Sequence, residues 1–135
     1  MTAAEAAMNV NAQISVGEWI DKLTILEIKL AEILERDKLA NVRREYETLL
    51  AAAPAELLKR AEIADARARL KAVNAELWRI EDEIRVKERA GDFTDEFIAL
   101  ARAVYVTNDK RAALKREINR LTMSDLVEEK SYASY

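Results

Sequence analysis

The chain has 135 residues, of which 22 are Lys or Arg and 25 are Asp or Glu, giving a net charge of −3. This length fits a single domain, and two Gly and one Pro are too few for the many turns of a β-sandwich or β-barrel. The absence of Cys and His excludes disulfides, cysteine nucleophiles, Ser-His-Asp triads and the usual zinc, haem and di-iron ligand sets.

The sequence also indicates where the protein resides. No apolar run approaches the roughly 20 residues of a membrane span, and the start, Met1-Thr-Ala-Ala-Glu5, lacks the basic and apolar regions of a signal peptide. We therefore expect a cytoplasmic protein that does not insert into membranes and that holds no metal or other cofactor.

Two helices are predicted in the first half of the chain, after a mobile tail over residues 1–13. Ser15-Val-Gly-Glu18 has the pattern of a capping box, and apolar residues follow it at helical spacing to about Arg36. A second amphipathic stretch continues to about Ala53. Its apolar stripe points well over a right angle away from the first, so the chain must break between them, with Asp37 as the predicted cap.

The third predicted helix is the longest. Pro54 suits its first turn, it runs over residues 55–90, and Gly91 ends it because glycine accepts the left-handed conformation. It carries three heptads of core positions, namely Ile63, Ala66, Leu70, Val73, Leu77, Ile80 and Ile84.

Asp92 or Thr94 is predicted to cap a fourth helix that reaches about Leu121, and Ser124 to cap a last short turn through Lys130. No repeat or linker divides residues 14–135, which we expect to form one domain. The predicted fold is all-α, an antiparallel bundle of four helices in which the third and fourth form a long protruding hairpin.

Three segments and a closing motif resemble a known family. They are ISVGEWIDKLTILEIKL (14–30), KLANVRREYE (38–47), VYVTNDKRAALKREIN (104–119) and LVEEKSY (126–132). In this order they resemble a small all-helical family of bacteria and phages, domain of unknown function 6165. Because members of that family occur beside or joined to glycosyltransferases and tetratricopeptide repeats, the resemblance implies a protein partner in surface-polysaccharide biosynthesis. It implies no catalytic residue.

A polar layer is predicted between the first and fourth helices. Glu27 falls inside the apolar stripe of the first, and the seam of the fourth becomes polar at Asn108, Arg111 and Lys115. In an antiparallel bundle Glu27 and Arg111 lie at the same height, which predicts an ion pair, with Tyr105 beside it. The layer either fixes helix register or binds an anion, because Arg111 and Lys115 offer more donors than Glu27 can use.

Two other functions are disfavoured. Glu32-x-x-Glu35 and Glu62-x-x-Asp65 imitate the paired carboxylates that hold Mg²⁺ in all-α nucleotide pyrophosphatases. Glu32, however, points away from the apolar stripe of its helix. Nucleic-acid binding needs aligned cations, and the basic residues of the fourth helix scatter around it in an acidic chain.

The sequence therefore favours a non-enzymatic interaction or assembly module that forms a homodimer through the far half of the hairpin. The alternative is a small phosphate- or sugar-nucleotide-binding protein or enzyme that uses the polar layer. Ile25 and Ile28, on the otherwise polar side of the first helix, indicate a further contact within the fold or with a partner. The dimer is predicted because the short helices cannot cover the long ones, and its candidate residues are Leu77, Ile80, Ile84, Phe97, Ile98, Leu100 and Val104.

Overall fold

The computed structural model describes residues 6–135, which form five α-helices and no β-strand. The all-α class predicted from the sequence is therefore confirmed. Residues 6–14 are exposed and lie outside any helix, while residues 1–5, the rest of the predicted tail, lie outside the described residues. The helices are α1 (Val16–Glu32), α2 (Arg36–Leu50), α3 (Glu56–Lys59), α4 (Ala61–Ala90) and α5 (Asp95–Thr122).

The start of α1 and the break after it follow the sequence pattern. The Ser15 hydroxyl accepts a hydrogen bond of 3.0 Å from the backbone N–H of Glu18, so the predicted cap is confirmed. The chain leaves the helical conformation after Glu32 and resumes it at Arg36. Asp37 is not the cap, however. It lies in the first turn of α2, which begins without a side-chain cap.

The long third predicted helix is divided near its start. Residues 56–59 form the short α3, and Arg60 is extended with ψ of 131° before α4 begins. Gly91 ends α4 in the left-handed conformation with φ of 68°, as predicted.

The predicted turn capped by Ser124 is wrong, because residues 123–135 contain no helix. Met123 is left-handed with φ of 55°, and the N–H of Ser124 donates to the Asn119 carbonyl at 2.9 Å. This closure ends α5 and turns the chain away from the helix axis.

α4 and α5 form an antiparallel hairpin, and α1 lies across it. Near its beginning α1 contacts α5, where the N–H of Gly17 donates to Asn119 Oδ1 at 2.7 Å. Further along it contacts α4, where Glu27 pairs with Arg67 at 2.7 Å. Among the five helices of residues 6–135, the backbone of α2 comes close only to that of α1. These contacts do not confirm the antiparallel bundle of four helices.

The apolar core lies where α1 crosses the hairpin. Trp19 is buried there, and its indole N–H donates to the Leu49 carbonyl at 2.6 Å, which ties α2 to α1. The core residues are Trp19, Ile20, Leu23, Ile63, Ala66, Leu70 and Ile118.

The hairpin therefore has two halves of different character. Its basal half, residues 61–80 and 107–122, contains every buried residue of α4 and α5. Its distal half, residues 81–106, contains none. Among residues 6–135 no helix is long and apolar enough to cross a membrane.

Candidate functional site

A fully buried carboxylate, Asp21, lies where α1 meets the basal half of the hairpin. Arg111 of α5 donates to it through two nitrogens, with Nε 2.9 Å from Oδ1 and Nη2 on Oδ2. The amide nitrogen of Asn74 on α4 donates to the same Oδ1 at 2.9 Å. Burial of an ionised carboxylate is unfavourable unless it is paired and hydrogen-bonded. The bidentate guanidinium supplies that pairing in a fixed geometry.

Thr24 completes the connection between α1 and α4. Its hydroxyl accepts from the amide of Asn74 at 3.0 Å and donates to the backbone carbonyl of Asp21 at 2.8 Å. Within residues 6–135, no buried side-chain nitrogen or oxygen lacks a hydrogen-bond partner. The three helices are thus locked in register by a satisfied set of polar groups.

Lys115, one turn along α5 from Arg111, is also buried. Its ammonium lies 2.6 Å from Glu18 Oε2, 2.6 Å from Glu128 Oε2 and 4.0 Å from Asp21 Oδ2. We call the whole set the polar cluster. Its residues are Glu18, Asp21, Thr24, Asn74, Arg111, Lys115 and Glu128.

The ion pairs of the polar cluster shift the pKa values of Arg111, Lys115 and Glu128. Hydrogen bonding to Asp21 raises the pKa of Arg111 above its usual value, against the effect of burial. Burial lowers the pKa of Lys115, but hydrogen bonds to Glu128 and Glu18 outweigh it, so the pKa is raised. The hydrogen bond from Lys115 lowers the pKa of Glu128. Both cations therefore stay charged at neutral pH.

The close approach of α1 to α5 requires a glycine. A Cβ on Gly17 would lie 2.4 Å from the Lys115 carbonyl oxygen and 2.8 Å from Asn119 Oδ1. Because backbone oxygen cannot move aside as a flexible side chain could, any larger residue would push the helices apart. Gly17 thus sets the distance at which Glu18 and Asp21 reach the cations of α5.

The predicted ion pair between Glu27 and Arg111 is wrong. Glu27 binds α4 instead, where it pairs with Arg67 at 2.7 Å and Lys71 at 3.1 Å. The reason is that α1 crosses the hairpin, so that its first turns face α5 and Glu27 faces α4. Arg111 takes Asp21 as its partner.

The other members of the predicted layer lie near one another on α5. Asn108 and Arg111 line two clefts, and Tyr105 lines one of them. The Tyr105 ring packs against Tyr135, with ring centroids 5.0 Å apart, because the C-terminal segment folds back along α5. Ion pairs from Glu128 to Lys115 and from Lys130 to Asp109 hold this segment.

Sequence reasoning missed Asp21 and Asn74, although each carries a signal. Gly17, Asp21, Thr24 and Ile28 follow one another at spacings of four, three and four, which places them on one helix face. Asn74 stands four residues after Leu70 on a buried face. A small or polar residue on such a face marks either a close approach or a buried hydrogen bond.

Two clefts adjoin the polar cluster. The larger, about 470 Å³, lies between α1, α4 and α5, and Ile25 and Ile28 are among its lining residues. The smaller, about 360 Å³, lies between α5 and the C-terminal segment. The predicted anion site would need unpaired cations here. Instead the cluster holds three carboxylates, of Glu18, Asp21 and Glu128, against two cations.

The described residues contain no group of three or more acidic side chains placed to hold a metal ion. Glu62 pairs with Arg60 and Asp65 with Arg69. The Mg²⁺ arrangement considered from the sequence is therefore absent from residues 6–135.

The seven candidate dimer residues divide into three groups by exposure. Leu77 and Ile80 are buried within the chain, so their prediction as surface residues of a dimer is wrong. Ile98 is exposed. The other four are half-buried in the hairpin, namely Ile84, Phe97, Leu100 and Val104.

These features define an all-α protein in which a short helix crosses a long hairpin over a buried network of ion pairs. The family model described as "Family of unknown function (DUF6165)" matches residues 8–135. The chain therefore belongs to this family, and the resemblance seen in its sequence is confirmed. No curated protein matches the chain, and no solved structure does.

Proposed function

We propose that this protein is a non-enzymatic helical interaction module that forms a homodimer through the distal half of its hairpin. The observation that carries the proposal is the exposure of large apolar side chains on a half with no buried residue. Val86 is 49%, Phe93 57% and Ile98 51% exposed. Where exposed apolar side chains form a contiguous patch on a soluble domain, the patch marks an interaction site.

Helix lengths explain why this surface is left uncovered. At 1.5 Å per residue α4 and α5 are roughly 40–45 Å long, whereas α1 is roughly 25 Å. Because α1 also crosses the hairpin, it covers only the basal half. A two-helix hairpin has one internal interface, and a second copy related by two-fold symmetry would cover its flank.

Sedimentation velocity at two protein concentrations tests the dimer. We expect self-association at micromolar concentration that Ile98→Asp abolishes, since the new carboxylate would be buried without a partner in the interface. Leu34→Asp is the matched control, because Leu34 is also apolar and exposed but lies between α1 and α2. A mass of 15.3 kDa for the unaltered chain, unchanged on tenfold concentration, would contradict the proposal.

We extend the proposal to a protein partner in surface-polysaccharide biosynthesis, which is supported by the family resemblance. Binding would be tested with a purified glycosyltransferase from the same cell. Loss of the complex with Ile98→Asp, and not with Leu34→Asp, is the expected result.

The second function considered, binding of a phosphate or sugar-nucleotide at the polar cluster, has less support. Arg111 and Lys115 are already paired with carboxylates, so an anion would have to displace Glu128 or Glu18. A thermal-shift screen with inorganic phosphate, sugar phosphates and Mg²⁺, which carry no heteroaromatic base, separates the two functions. A ligand at 100 times its Kd would stabilise the fold by about 2.7 kcal/mol, whereas the interaction module predicts no shift from anionic ligands.

A further inference from the structure

The larger cleft beside the polar cluster has the properties of a small-molecule site. Its volume of about 470 Å³ falls within the usual range for such sites, which are mainly apolar with a few convergent polar groups. The apolar wall consists of Ile25, Ile28, Leu77 and the half-buried Trp78. This wall could pack against the apolar face of a ligand.

The polar side of the cleft offers hydrogen-bonding groups that the described residues leave unused. The Asn108 amide forms no hydrogen bond within residues 6–135, although it lines the cleft. Arg111 donates through Nε and Nη2 to Asp21, which leaves Nη1 available. Because Asp21 holds the guanidinium in place, this donor is already oriented before a ligand arrives.

The charges of the lining exclude a strongly anionic ligand. Glu81 and Asp82 line the cleft together with Arg85 and Arg111, two charges of each sign. Arg85 is paired with Glu81, and Arg111 with the buried Asp21. A polyphosphate would therefore meet no free cation and one carboxylate, Asp82, that has no ion pair within residues 6–135.

We propose that this cleft binds a flat, uncharged heteroaromatic ring with a donor and an acceptor on one edge, of the purine-base class. The ring would stack on Trp78, since bases stack on aromatic side chains whatever their identity. Asn108 would read the edge, because an amide can both donate to and accept from the adjacent polar atoms of adenine. A purely apolar ring would leave Asn108 and Arg111 Nη1 without partners and would bind less well.

Equilibrium dialysis of the full chain with adenosine tests the proposal. We expect saturable binding at one site per chain. Trp78→Ala should weaken it about 5- to 150-fold, the range that corresponds to one stacked base. Asn108→Ala should weaken it by about tenfold, with Asn41→Ala, on the exposed face of α2, as the matched control. Urea unfolding of each variant verifies that the fold is retained.

Comparison ligands make the result decisive. ATP and indole should both bind more weakly than adenosine. ATP is disfavoured by its charge, and indole has a donor but no acceptor, so it leaves the Asn108 amide N–H unpaired. No saturable adenosine binding up to its solubility limit would overturn the proposal. So would tighter binding of ATP than of adenosine, equal binding of indole, or an affinity for adenosine that Trp78→Ala and Asn108→Ala leave unchanged.

Discussion

The two halves of the hairpin have similar helices but different roles. The basal half carries the apolar core and, against α1, the polar cluster, whereas the distal half, residues 81–106, has no buried side chain and is lined by ion pairs such as Arg85–Glu81. The basal half thus holds the interactions that stabilise the fold. The distal half, which has no buried residue, is therefore expected to contribute less to stability. Substitutions matched between the halves can test this difference.

The largest effect is expected at Arg111. Arg111→Leu would leave Asp21 fully buried without its cation, and breaking a buried ion pair in this way costs about 3–5 kcal/mol. Urea unfolding measures the loss. Because an apolar pair can replace a buried ion pair at little cost, Asp21→Leu combined with Arg111→Leu should recover much of the stability.

A second double variant serves as the control for this coupling. Glu27 pairs with Arg67 and Lys71 rather than with Arg111. The effects of Glu27→Leu and Arg111→Leu should therefore add, as they do for residues without shared partners. The opposite result would contradict the structure. If the stability losses of the Asp21 and Arg111 substitutions simply add, while those of Glu27 and Arg111 do not, then Arg111 pairs with Glu27 rather than with Asp21.

The second-largest effect is expected for the replacement of a buried isoleucine, and an exposed isoleucine of the same hairpin serves as its comparison. Ile80 in the basal half is fully buried, whereas Ile98 in the distal half is 51% exposed. Ile80→Ala should lower the free energy of unfolding by about 2–5 kcal/mol, because it leaves a cavity. Ile98→Ala should change it by no more than about 0.5 kcal/mol, as at other surface positions. Both are measured in monomer conditions, at low protein concentration. Equal losses would mean that both halves support the fold.

The third-largest change in stability is expected for a substitution at Gly17. In Gly17→Ala the new methyl group would overlap the Lys115 carbonyl oxygen, and overpacking of a close contact costs about 1–3 kcal/mol. In the exposed interior of a helix the same change would be stabilising. A more stable Gly17→Ala variant in urea unfolding would therefore show that α1 and α5 are further apart than in the structure.

The sequence predicts the local structure of this chain better than its packing. Ser15 and Gly91 mark helix ends through their own backbone and side-chain chemistry, and the structure places helix ends at both. Asp37 and Ser124 carry the same kind of signal, but neither caps a helix. Capping residues indicate where a helix could begin, while neighbouring packing decides whether it does.

The partner of Arg111 could not be predicted, because it depends on how α1 crosses the hairpin. An assumed bundle with parallel axes placed Glu27 opposite Arg111, whereas the crossing puts Asp21 there. The sequence does predict a polar group formed by Asn108, Arg111 and Lys115, because these residues share a face of one helix. Glu128 could not be predicted as a member of this group, since it comes from a segment that has no periodic pattern.

The smallest effect is expected at the C-terminal segment, which the ion pair between Glu128 and Lys115 holds against the basal half. Hydrogen bonding from Lys115 lowers the pKa of Glu128 below its usual value of 4.5. A carboxyl whose pKa is lower in the folded state stabilises the fold above its unfolded pKa, and this contribution disappears as the pH falls through the folded pKa. Because the Glu128 side chain is 59% exposed, solvent screening limits the contribution to less than about 1 kcal/mol.

Glu128→Gln should therefore be slightly less stable than the unaltered chain in urea at pH 7, and the difference should shrink as the pH falls below about 4.5. Glu129→Gln, whose carboxylate forms no ion pair within residues 6–135, is the matched control and should have no effect at either pH. If Glu128→Gln still lowers the free energy of unfolding at pH 3, Glu128 stabilises the fold through packing rather than through its charge.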